Sequence, residues 1–357
     1  MRRVLVVLVI AALVVWRFHL WPRHEATEHR QPPSARVELA VPRDATPVID
    51  AALPPPPPIA YLPIAHMPIP AGLPVANFVT GLVAVDGRLV WTDNFGSIWT
   101  MPATGGDARE LANQHDGPGF PEYSALVVHR GTVYSSRIGA VATVALPAGP
   151  VTPLSKETGD DAYQLASDGT SLYGAMFDAH SVVRFADDGS ETKLAAMHEG
   201  VFAAAGSAVY AADFGAGTVV QLAPVRRTVA RNIPHPTGLA ADDRAVYVWS
   251  QLDSGLRRVE LATGKVTWRI AVTNGDGLIA DGDWIYTDAV DQGASTLMRV
   301  AKDGSELDVL APLDAYGRLA ADADAIYTSG GSDGTFVRVD KARVQPIRIV
   351  KPATVAR

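Results

Sequence analysis

"GLIADGDWIYTDAVDQGASTLMRVAKDGSELDVLAP", residues 277–312, carries the pattern that decides the fold. A short apolar run ends at Asp281-Gly282. A second run bearing Tyr286 follows, then a polar loop, then Leu297-Met298-Arg299-Val300, then a turn at Asp303-Gly304. Short apolar runs punctuated by Asp-Gly are the mark of strands joined by tight hairpins.

The same unit recurs along the chain. With Tyr286 as anchor, its counterparts are Trp91, Tyr134, Tyr173, Tyr210, Tyr247 and Tyr327, 37 to 43 residues apart. All seven anchors are aromatic, although Phe, Trp and Tyr make up only 7% of the chain, so composition alone does not produce the pattern. Eight residues before each anchor stand Val83, Leu126, Leu165, Phe202, Leu239, Leu278 and Leu319. Seven before stand Ala84, Val127, Ala166, Ala203, Ala240, Ile279 and Ala320, and five before stand Asp86, His129, Asp168, Ala205, Asp242, Asp281 and Asp322. The last position reads as a turn residue. A third run carries Ile98, Val141, Val182, Val219, Leu256, Leu297 and Phe336. Two residues further on stand Thr100, Thr143, Arg184, Gln221, Arg258, Arg299 and Arg338, each followed by an apolar residue. Apolar-polar-apolar is the period of a strand with one buried face. The arginine column is expected on a solvated or inter-blade face.

Four short antiparallel strands per unit, in about 40-residue units, predict an all-β, seven-bladed β-propeller over 77–352, with six or eight blades as alternatives. Small first-run residues suit a crowded hub. Complete first and last units imply closure without a split blade, unless the segment 59–79 adds a strand. Residues 353–357 form a tail.

"LVWTDNFGSIWTMPATGGDARELA" (89–112) resembles the YWTD repeat of lipoprotein-receptor-type propellers, with "IYTD" (285–288) and "IYTS" (326–329) as weaker echoes. "HPTGLAADDRAVYVWS" (235–250) resembles an NHL-type propeller repeat. The resemblance implies the fold and a binding scaffold. It also implies that Asp93, Asp213 and Asp288, which follow the aromatic strand, brace neighbouring backbone.

The N-terminus is of another kind. Arg2 and Arg3 precede thirteen apolar residues, Val4 to Trp16, the layout of an export signal. No small-x-small cleavage pattern follows, and the stretch extends to Trp21 if Arg17 snorkels. Residues 1–23 therefore read as an uncleaved signal anchor with the body outside the cytoplasm, in the periplasm, or secreted if the signal is cut. Residues 24–76 include the run Pro54 to Pro58 and read as a disordered, Pro-rich tether.

Charge and composition exclude several classes. The formal net charge is −7, and an acidic body without a basic stripe argues against a nucleic-acid partner. The absence of cysteine removes disulfides, thiolate metal sites and cysteine nucleophiles. No His-Glu-x-x-His is present.

Chemistry on a propeller is expected where loops enter the first strands. Glu122, Asp161, His198, Glu199, His235, Asp276, Asp314 and Tyr316 stand there. Of these, Glu122, Asp161, His198, His235 and Asp276 are the candidate ligands for a small molecule or a divalent cation such as calcium. "NGDGLIADGDWIYTDA" (274–289) resembles repeats of a calcium-dependent lactonase of the senescence-marker type, which implies an ion in the channel mouth. The expected function is a non-enzymatic, membrane-tethered binding scaffold, without a cofactor, taking a protein or small ligand on one rim. The alternative is a metal-dependent lactonase or esterase.

Overall fold

The computed structural model describes residues 65–68, 79–93, 96–112, 125–137, 140–147, 149–154, 162–176, 179–197, 200–271, 277–291, 294–313, 317–329 and 335–343. All lie in one compact unit, Pro57–Arg357. They form seven four-stranded antiparallel sheets, numbered here as blades 1 to 7 in chain order. The first strands are Val79–Val85, Leu126–His129, Ala162–Ser167, Gly200–Ala205, Pro236–Ala241, Leu278–Asp281 and Leu319–Ala321. Each touches the next in that order, and the seventh touches the first, so they close a ring. The sequence expectation of seven blades holds.

Blade 5 shows how each sheet is built. Pro236–Ala241, Ala245–Ser250, Gly255–Glu260 and Val266–Ala271 pair in sequence order. Six anchors, Tyr134, Tyr173, Tyr210, Tyr247, Tyr286 and Tyr327, sit on second strands, each opposite the residue seven before it on the first strand. Tyr247 packs on blade 6 residues such as Ile285, Met298 and Leu307, and Tyr286 packs on Ile326 and Val337 of blade 7. The aromatic column therefore fills the wedge towards the following blade.

Trp91 breaks the column. It lies on the second strand of blade 1, but opposite Leu82 rather than Ala84. Val90 occupies the anchor's register, opposite Val83 and Thr100. In a strand, a shift of one residue turns the side chain to the other face. Trp91 accordingly packs backwards onto blade 7, with its ring 5.1 Å from that of Phe336, edge to face. Val90 packs forwards onto Val133 and Val144 of blade 2.

Ring closure also differs from expectation. The outer strand of blade 7 is Ala65–Pro68, antiparallel to Thr335–Asp340. Residues 65–68 were expected to belong to the tether; instead the exception allowed for 59–79 is what the chain uses. One sheet thus joins chain segments from before blade 1 and from the end of the ring, and the closure is a split blade. Physically, the strand Thr335–Asp340 would otherwise present unpaired backbone groups along its edge.

This arrangement makes a prediction. A chain beginning at residue 69 should lose on the order of 2–4 kcal/mol of unfolding free energy relative to one beginning at residue 57, from the lost ladder bonds. Equilibrium urea unfolding of the two checks it; equal midpoints would show that Ala65–Pro68 does not close the ring.

Candidate functional site

Two ends of the blades matter, the end where chains enter the first strands and the end that carries the first hairpin turns. At the entry end the structure places one of the five candidate ligands, His235. Its backbone is left-handed (φ 56°), its carbonyl accepts from Gln251 N at 3.0 Å, and its half-buried ring lies against Phe214. A non-glycine residue held in that region is a strained one. Glu122, Asp161, His198 and Asp276 lie outside the described residues, as do Glu199, Asp314 and Tyr316. Among the described residues, no three His, Asp or Glu side chains stand together as a metal ion would require.

The aspartates after the aromatic strand are braces, as the family resemblance implies. Asp288 is fully buried and accepts from Gly277 N (2.7 Å) and Gly317 N (3.2 Å), tying the entries of blades 6 and 7. Gly277 must be glycine-sized, because a Cβ there would come within 2.5 Å of the Leu319 side chain. Asp93 accepts instead from Ser97 N and the Trp99 indole, both at 2.9 Å. The two share a motif but not a job, since blade 1 is one residue out of step. Asp213 accepts from Ala216 N at 2.7 Å.

At the opposite end, the residue five before the anchor does more than turn the chain. Asp168, Asp242 and Asp322 each cap the turn with Oδ1 and accept the hydroxyl of their own anchor with Oδ2: Tyr173 at 2.7 Å, Tyr247 at 2.9 Å, Tyr327 at 2.8 Å. Burial pushes the Asp242 carboxyl up. The Arg244 N–H, Lys302, the Ala245 N–H and the Tyr247 hydroxyl outweigh it and hold the group below its ordinary range. The phenols move the other way: burial, then the bond to Asp168, pushes Tyr173 up to about 12. Tyr247 and Tyr327 are raised for the same reasons.

Lysines extend this bracket between blades. Lys302 of blade 6 reaches Asp242 of blade 5 at 3.0 Å, and Lys341, after blade 7, reaches Asp281 of blade 6 at 2.5 Å. Sequence spacing did not reveal these pairs; the only signal was a lysine shortly after the third strand in both units. The arginine column stands directly opposite the anchors, in the pairs Tyr173–Arg184, Tyr247–Arg258, Tyr286–Arg299 and Tyr327–Arg338. Arg299 lies over the Trp284 ring (3.8 Å) and bonds the buried Asp308 at 2.7 Å. Arg338 reaches across to the carbonyl of Ala103 in blade 1. The column thus bonds within its own blade at Arg258 and Arg299 and across to the next blade at Arg338, with Arg184 exposed.

Between blades 5 and 6 this end opens into a groove of about 640 Å³, lined among others by Asp243, Arg244, Arg258, Asp283, Trp284 and Glu306. The Tyr247–Asp242–Lys302 bracket is part of its wall. Between blades 2 and 3 the bracket position is His129. Its Nδ1 lies 2.8 Å from Ser167 Oγ of the next blade, and its ring meets Tyr134 edge to face. Burial, then Arg130, holds the imidazole below its ordinary range, against Asp168 and Asp187.

No protein-family model matches the chain, and no curated protein matches it in sequence. Solved structures do match in shape. Virginiamycin B lyase from Staphylococcus aureus superposes with a TM-score of 0.60 at 11% identity, over 78% of this chain and 98% of that one. A chain of the mitotic checkpoint complex gives 0.60 at 12% identity, over 83% and 99%. The extracellular domain of a putative one-component system from B. thetaiotaomicron gives 0.56 at 11% identity, over 77% and 40%. Identities this low establish the propeller fold and nothing finer.

Two outcomes are expected. Asp242→Ala should cost about 3 kcal/mol, since it strips charge-assisted bonds from Tyr247 and Lys302. It should also flatten the acid limb of stability: a carboxyl depressed on folding stabilises above its ordinary pKa and loses that contribution as pH falls through its folded value. Urea titrations across the acid range read both. For His129, whose folded pKa is lowered, stability should fall as pH drops below about 6.5. His129→Gln should remove that dependence, and an unchanged pH profile would show the seam to be insensitive to it.

Proposed function

We propose that the chain is a membrane-tethered binding scaffold displayed outside the cytoplasm. The observation that carries this is the polar groove between blades 5 and 6. Its half-buried acid, Asp242, is engaged by two backbone N–H groups, Tyr247 and Lys302. Around that engaged centre stand the exposed charges Asp243, Arg244, Asp283 and Glu306. A carboxylate so satisfied is a poor base or nucleophile, whereas fixed charges of both signs on a rigid rim suit recognition of a polar partner surface. The tether rests on the sequence of residues 1–76, with two arginines before an apolar run and a proline-rich spacer after it.

The alternative, a divalent-metal hydrolase at the entry end, has His235 as its described member, in strained backbone. One preparation tests both readings. The full chain should fractionate with membranes and a chain lacking residues 1–30 should be soluble; membrane retention of the shortened chain would remove the tether. Incubation with lactones and esters should give no turnover. Turnover lost on chelation and restored by calcium would replace the scaffold with the hydrolase.

A further inference from the structure

Blade 5 carries a second polar cluster, at the entry end. The register across the blade sets Leu239, Val248, Arg257 and Arg269 side by side on one face. Leu239 and Val248 pack against Tyr210, Ala212 and Val219 of blade 4. The outer two are arginines directly opposite one another, and like charges so placed repel. What holds them is Asp253, in the loop between the second and third strands. Arg257 Nη2 donates to Asp253 Oδ2. Arg269 Nη2 stands 3.4 Å from the same oxygen and donates to the Asp253 carbonyl at 2.5 Å.

Among the described residues, two guanidiniums share one carboxylate, which leaves one positive charge over. Arg257 is only 5% exposed, and among the described residues its Nε has no hydrogen-bond partner, nor has Arg269 Nε. A buried charged group left short of partners is costly. The Arg269 side chain, 41% exposed, opens the cluster to solvent. Gly255 makes room for it, since a Cβ there would come within 2.8 Å of Arg269 Nε. Burial raises the Asp253 carboxyl, but Ser250, Arg257 and Arg269 outweigh it, so the acid stays ionised and the charge count stands.

We propose that Arg257 and Arg269 form an oxyanion subsite on the outer part of blade 5, taking a sulfate, phosphate or carboxylate group. A guanidinium presents a planar fork of donors that matches such groups. The inference goes beyond the scaffold and does not depend on the tether or on the groove at the other end of the blade.

The test is equilibrium dialysis of labelled sulfate against the full-length chain, with chloride holding ionic strength constant. Direct binding avoids the general effect of these anions on protein stability. The wild-type chain should bind saturably. Arg269→Gln should weaken binding about tenfold, the loss of one charge-assisted pair. Asp253→Asn should tighten it, because the competing carboxylate charge is gone; a merely structural role for Asp253 would not give a gain. Displacement by acetate extends the ligand class to carboxylates, and displacement by phosphate alone confines it to tetrahedral anions; either supports the site. Non-saturable uptake, equal binding by Arg269→Gln, or no gain with Asp253→Asn would overturn it.

Discussion

A four-stranded sheet has two faces, and in this chain each face is kept dry by the blade beside it. Every other feature follows from that dependence. Seven sheets must form a closed ring, so first strands meet at a hub and carry residues such as Ala166, Ala203, Ala240 and Ala320. Second strands meet a wider wedge and carry tyrosines. The ring has one place where the chain must be sealed, and Ala65–Pro68 seals it by completing blade 7. Aromatic packing of Trp91 on Phe336 and the Arg338 bond to Ala103 serve the same seam.

The dependence also explains how polar groups are spent. A tyrosine placed in an apolar wedge brings a hydroxyl that needs a partner. Asp168, Asp242 and Asp322 provide one while capping their turns, so one carboxylate satisfies the turn and the wedge together. Where the turn is the two-residue kind, the same position is free to do something else: His129 reaches Ser167 across the seam, and Asp281 takes Lys341. Ala205 offers no polar group, and Tyr210 is raised chiefly by burial, opposed by Arg227 and helped by Asp242.

Much of the fold was legible because the repeat acts on residue type at fixed spacing. Six tyrosines, the small first-strand residues and the turn aspartates all fall where spacing puts them. Trp91 shows the limit. It matches its counterparts in type and motif, but face is set by strand register, and a one-residue difference in the first hairpin turned it backwards. The sealing strand was obscured by proline: "AHMP" has no repeat partner, and its neighbours look like a spacer. At the site, bonds within a unit could be inferred, whereas bonds between units, Lys302 to Asp242 or Arg338 to the Ala103 carbonyl, depend on where the ring brings the units.

Charge alone is therefore a weak guide to function on this ring, and the state of each charge's partners is a better one. Asp242 and Asp288 are as polar as any candidate ligand, yet Asp242 holds its turn, Tyr247 and Lys302, and Asp288 ties the entries of two blades. Arg257 and Arg269 differ in kind. Their face begins as an ordinary apolar seam at Leu239 and Val248, then changes to paired cations where packing against blade 4 gives way to solvent. A sheet that needed only to be dry there would carry apolar or neutral residues, which cost nothing in repulsion. Two arginines bridged by a single acid give up stability at the outer edge of a blade, and that loss is intelligible if a negatively charged group arrives from outside to complete the set.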